Sequence, residues 1–150
     1  MKNKLLRLEK KFLRKLIPIH KQFSKNTFHK IMRKSSTLRS SLKKRSREYN
    51  VLFDISLDEL RNKFYKAYGK ECRYCNAILT VKNIVCDHLR PISNGGKSVY
   101  NNLQMICKSC NTRKGNLSHH NFIKLLRWLN AQPEELRKYV LRRLAKGGKF

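Results

Sequence analysis

Between Val85 and Gly115 the chain reads VCDHLRPISNGGKSVYNNLQMICKSCNTRKG. Asp87 is the only acidic residue between Glu71 and Glu134, in a chain with 36 Lys and Arg against 9 Asp and Glu. A lone carboxylate amid so much positive charge is explained if it binds a divalent cation. The amide oxygen of Asn111 is a second suitable donor, since hard cations such as Mg²⁺ take oxygen ligands. His88, next to Asp87, is the candidate general base, because a neutral imidazole accepts a proton near neutral pH. It needs a partner on its other ring nitrogen, and Asn102 is the candidate, through its side chain or its backbone carbonyl. Together these groups suit cleavage of a phosphodiester: an activated water, charge stabilisation at phosphate and help for the leaving oxygen.

Two Cys-x-x-Cys pairs, Cys72/Cys75 and Cys107/Cys110, supply four thiolates for a structural zinc site. The thirty-one residues from Asn76 to Ile106 separate them, longer than the usual ribbon spacing. Zinc would therefore staple the two ends of a β-hairpin. Cys86 is left over and reads as a small core residue. Five cysteines in this pattern suit a reducing compartment and metal rather than disulfides, so a cytoplasmic protein is expected.

Strands must position Asp87 and His88, and neighbours on a strand face opposite ways. They can share a site only at a strand end or bulge, which Pro91 makes reasonable. AILTV and NIVCDHL read as two short strands, Leu103 to Ile106 as a third, and Cys107 to Asn116 as a short helix. Upstream, Ser56-Leu-Asp-Glu59 is a capping box opening a core helix with Leu57, Leu60, Phe64 and Ala67 on its inner face and Gly69 as its stop. Downstream, Ser118 caps a helix carrying Phe122, Leu125, Leu126 and Leu129, and Pro133 starts another with Leu136, Tyr139, Val140 and Leu144. These two helices are expected to close the core, with Trp128 as packing and base stacking as its second reading. His20, His29, His119 and His120 lack ligand-spaced neighbours and read as surface residues.

A net charge of +27 calls for a polyanionic partner, nucleic acid first and an anionic membrane surface second. No run of eighteen apolar residues spans a bilayer, and the first residues lack a compact apolar secretion signal. Residues 1–50 hold 17 Lys and Arg and 2 Glu, a net +15, and read as a basic, largely helical arm. Leu5, Leu8, Phe12, Leu16 and Ile19 give it an amphipathic start that Pro18 ends or bends. Ser35 to Arg47 reads as a linker or a loosely helical segment lying on phosphates.

Asp87-His88-x-x-Pro91, Gly95-Gly96, Asn102-Leu103-Gln104 and Cys107-x-x-Cys110-Asn111-x-x-Lys114 together resemble the HNH endonuclease family, over about Cys72 to Gly115. Arg45 to Leu60 is also similar to the lead-in of small phage-encoded members. The resemblance implies an α+β fold: a ββα-metal core stapled by a four-cysteine zinc site and flanked by basic helices. It divides the chain into an arm (1–50) and a nuclease domain (51–150), with the core at 72–116 and closing helices at 118–146. It implies DNA hydrolysis with Mg²⁺ or Mn²⁺, leaving 5′-phosphate and 3′-hydroxyl ends, with RNA a further possible ligand. His88 is then the base, Asp87 and Asn111 the cation ligands, and Asn102 the residue that positions His88. Asn111 stands where many members carry His. Arg113 or Lys114 is assigned to the scissile phosphate. If phage-encoded, the protein would act in the host cytoplasm, in homing, packaging or defence. The alternative is a zinc-stapled nucleic-acid-binding module without catalysis.

Overall fold

The computed structural model describes residues 24–147. The amphipathic start expected from Leu5 to Ile19 lies outside them. Ser24 opens the first helix, its hydroxyl accepting from the Thr27 amide, and the helix runs unbroken from Lys25 to Glu48 (α1). Ser35 to Arg47, read as a linker or a loosely helical segment, is thus part of this helix. Phe28, Ile31, Ser35, Leu42 and Ser46 are its buried residues, at helical steps. Two of those inward positions are serines, which is why no continuous apolar face was visible. Ser35 donates to the Ile31 carbonyl, so its hydroxyl is satisfied without leaving the core.

A two-residue strand, Phe53–Asp54 (β1), leads to helix Leu57–Ala67 (α2). The capping box forms as expected, with Ser56 and Glu59 exchanging hydrogen bonds. Gly69 takes a φ of 74°, the left-handed turn that ends this segment. Only one of the two expected strands follows. Ile84–His88 (β2) forms, whereas the AILTV segment makes a single antiparallel bridge between Ile78 and Glu71. Its end turns back at once: Asn83 accepts from the Thr80 amide and donates to the Ile78 carbonyl, closing a tight turn.

Ser98–Val99 (β3) pairs in parallel with β1, and Leu103–Cys107 (β4) pairs antiparallel with β2. The register sets Ile84 opposite Cys107, Asp87 opposite Gln104 and His88 opposite Leu103. Lys108–Lys114 (α3) follows β4 directly, so β2, β4 and α3 form a ββα unit. Helices His119–Asn130 (α4) and Glu134–Ala145 (α5) complete the described chain. The chain is therefore mixed α and β.

Phe28 and Ile31 of α1 share one core cluster with Phe64, Ile84 and Ile106. Leu42 joins Ile55, Leu60 and Leu103 in a second. The terminal helices do less than expected. Phe122 and Leu129 of α4 are buried, but α5 buries no residue, and Trp128 is 51% exposed. Trp128 lies away from the arc of Phe122 and Leu129, so packing α4 on the core turns the indole outward. Because Ile31 is fully buried, Ile31→Ala should lower unfolding free energy by about 2–5 kcal/mol. Equilibrium denaturation checks this; a loss below about 0.5 kcal/mol would mean that α1 is not part of the core.

Candidate nuclease and metal centre

The four paired cysteines meet. Their sulfurs all lie within 4.8 Å of one another, a cluster that could hold a zinc ion. The Cys107 amide donates to Cys72 Sγ and the Cys110 amide to Cys107 Sγ, both at 3.4 Å. Such donors stabilise thiolate charge, which fits a metal knuckle. Asn76 adopts a φ of 58° just after Cys75, the tight return that brings this pair round. Cys107 also ends β4 and caps α3, so the cluster sets where that helix starts.

Asp87 sits one position before the end of β2, its side chain 10% exposed. Below it, the Lys114 ammonium lies 3.0 Å from Oδ2 and 3.3 Å from Oδ1, and it donates to the His88 carbonyl at 2.9 Å. The Lys114 side chain is wholly buried. The expectation that it reaches a phosphate is corrected: the last turn of α3 packs toward β2, so the lysine points inward. Arg113 is half-buried, with its Nε unpaired among the described residues.

Gln104, opposite Asp87 in the hairpin, is the second hold on the carboxylate. Its Nε2 donates to Asp87 Oδ2 and to Tyr74 Oη, both at 2.8 Å, and its Oε1 accepts from Arg73 at 3.0 Å. Tyr74 Oη already accepts from Gln104, so its own proton goes to His119 Nδ1, 2.7 Å away. The His119 amide in turn donates to the Leu89 carbonyl. His119, read as a surface residue, is thus wired to Asp87. Burial holds its imidazole below the usual histidine range, with Arg73 and Lys114 acting the same way. His120 is exposed, as expected.

His88 ends β2 and is 5% exposed. Its Nε2 lies 3.0 Å from Ser98 Oγ, and the buried Ser46 of α1 donates to the same Ser98 oxygen at 2.8 Å. Nδ1 has no hydrogen-bond partner among the described residues. Asn102 does not touch the ring. Its Oδ1 accepts from the Arg90 amide, and its Nδ2 donates to the carbonyls of Arg90 and Lys97. Its own carbonyl accepts from the Leu89 amide. Asn102 therefore clamps the two residues after His88 to the residue before Ser98. Between them, the Gly96 amide donates to the Pro91 carbonyl. A Cβ at Gly96 would stand 1.8 Å from the Arg90 carbonyl oxygen, so only glycine fits this loop.

Asp87, His88 and Asn111 line one small cleft of about 190 Å³, with Arg45 of α1 at its edge. The Asn111 side-chain amide makes no hydrogen bond among the described residues, leaving its oxygen available. Burial pushes the His88 imidazole down to about 4, Arg45 adds to this, and Asp87 opposes it. At neutral pH the ring is neutral and able to take a proton.

The match to known proteins agrees with this arrangement. Residues 72–117 match the HNH endonuclease family. No curated protein matches the sequence significantly. An HNH domain carries nuclease or nucleic-acid-binding function and implies a nucleic-acid partner. Among the described residues, no helix is long and apolar enough to cross a membrane.

Two outcomes follow from these contacts. Lys114→Met strands a buried carboxylate and should cost roughly 3–5 kcal/mol in unfolding free energy. Adding Asp87→Asn should restore much of it; additive losses in the double-mutant cycle would mean that the two side chains are not coupled. Without added Mg²⁺ or Mn²⁺, the His88 ring signals should titrate in NMR near pH 4. The unfolded chain takes up that proton first, near 6.5. The histidine's contribution to stability is therefore full above 6.5 and fades as pH falls toward 4. A midpoint near 6.5 would contradict the buried, neutral ring.

Proposed function

We propose, from the HNH domain that residues 72–117 form, that this protein is a metal-dependent endonuclease hydrolysing DNA phosphodiester bonds at the Asp87–His88 cleft. The observation that carries the reading is the convergence there of a neutral buried imidazole, a carboxylate and an unbonded amide oxygen. A binding module needs none of the three. In the tautomer that this reaction uses, Ser98 accepts the Nε2 proton of His88 beside that of Ser46, as its two lone pairs allow. This leaves the Nδ1 lone pair to take a proton from water. The water oxygen bonds to phosphorus as the bond to the 3′ oxygen breaks, and that oxygen is protonated from solvent. The products are a 5′-phosphate and a 3′-hydroxyl.

Asp87 and Asn111 are the residues that would hold Mg²⁺ or Mn²⁺, their oxygens being suited to a hard ion. Such an ion supplies charge stabilisation to the phosphate and the leaving oxygen. Lys114 and Gln104 orient the carboxylate from the protein side. Asn102 acts at one remove, holding the chain segments on either side of the His88–Ser98 pair. The four cysteines hold structural Zn²⁺, which supports α3 and so Asn111 and Lys114.

His88→Ala should abolish conversion of supercoiled plasmid to open circle or linear form in Mg²⁺ or Mn²⁺, a loss of at least about 10²-fold. Binding and one zinc per chain should persist in the variant. Wild-type protein that binds plasmid but cleaves it with neither ion would favour the non-catalytic module. Loss of zinc in the variant would make its inactivity a folding defect and remove the support for a base.

A further inference from the structure

A larger groove lies beside the cleft. It has a volume of about 670 Å³, between α1 and the turn and strand at Val81 to Cys86. Leu38, Phe64, Val81, Ile84 and Val85 make an apolar floor, and Lys30, Arg33 and Lys34 stand along one rim. Cys86 lines both this groove and the Asp87–His88 cleft. The two depressions therefore adjoin at Cys86.

One helix face borders both. Lys30, Lys34, Thr37 and Ser41 line the groove and Arg45 the cleft, at steps of four, three, four and four. Steps of three and four keep side chains on one face. From Lys30 to Arg45 this face is about 22 Å long, enough to follow a strand for several nucleotides. Lys34 is drawn inward, donating to the Ile84 carbonyl at 3.1 Å, whereas Lys30, Arg33 and Arg45 are exposed. Among the described residues, no acidic side chain lines the groove, and Asp87 is the only one lining the cleft.

We infer that this groove holds unpaired nucleotides flanking the scissile phosphate, with phosphates along the cationic face of α1 and bases on the apolar floor. The inference rests on the endonuclease reading and narrows its substrate to DNA with a single-stranded flank. A duplex presents charged backbone and would leave the floor wet, whereas unpaired bases can cover it. Residues 1–23 of the chain are the other apolar candidate. They carry eight Lys and Arg and one Glu, a charge of the same sign as the rim and opposite to that of phosphate.

The test is fluorescence anisotropy without added divalent cation, using a blunt duplex and the same duplex with a single-stranded flank. The wild type should bind the flanked probe more tightly. Lys30→Ser/Arg33→Ser changes only exposed rim residues. It should weaken binding of the flanked probe roughly tenfold and lower its salt slope by about 1.4, with a much smaller effect on the blunt probe. Val81→Trp, which fills the floor, should make the two probes bind alike. Equal losses on both probes would reduce the rim to general basic attraction and overturn the inference. So would unchanged discrimination in Val81→Trp, or a shifted melting temperature with unchanged binding, which would mean that the chain itself covers the groove. Binding is read without turnover, so the two readings fail separately. Probe discrimination without cleavage sinks only the nuclease, and cleavage without discrimination sinks only the groove.

Discussion

The buried ion pair between Lys114 and Asp87 is the constraint on which the centre depends. An ammonium with no solvent exposure is tolerable only if its protons are matched, and here they meet both carboxylate oxygens and the His88 carbonyl. That requirement ties α3 to the end of β2. It also fixes which way Asp87 faces, because Gln104 holds Oδ2 from the neighbouring strand. The cysteine cluster sits at the other end of the same unit, where β4 passes into α3. The start of α3 is thus held by thiols and its last turn by a salt bridge.

The positive charge of the chain has two uses in this structure. Most of it is solvated, and its natural counterpart is phosphate. A small part is internal. Lys114 neutralises Asp87, and Arg45 at the cleft edge helps keep His88 unprotonated. The same helix that supplies Arg45 supplies Ser46, which reaches Ser98 and through it the imidazole. α1 is consequently a support of the centre as well as a basic surface.

Much of this was legible in the sequence, and the failures have physical causes. The cysteine pairs, the capping box at Ser56 and the short helix after Cys107 depend on local chemistry, which spacing records. The Asp87–Gln104 pair could have been counted once the ends of β2 and β4 were known. Ser98 and Ser46 carried no signal, because a hydroxyl's partner is decided by tertiary packing 52 residues apart in sequence. His119 failed for the same reason, since its link to Asp87 passes through Tyr74 and Gln104. Lys114 was misread because a lysine at the end of a short basic helix looks solvated until the facing strand is in place. The second half of α1 read as either a linker or a loose helix because its inward positions include serine, a small side chain that allows close approach.

The proposed chemistry requires that Asp87 and Asn111 hold a divalent cation beside a neutral His88. Titration of Mn²⁺ into the zinc-loaded protein, followed by paramagnetic broadening in NMR, addresses it directly. The His88 ring and Asn111 side-chain amide signals should broaden first in the wild type and persist in Asp87→Asn. Equal broadening in both proteins, or none near the cleft, would contradict a cation site there.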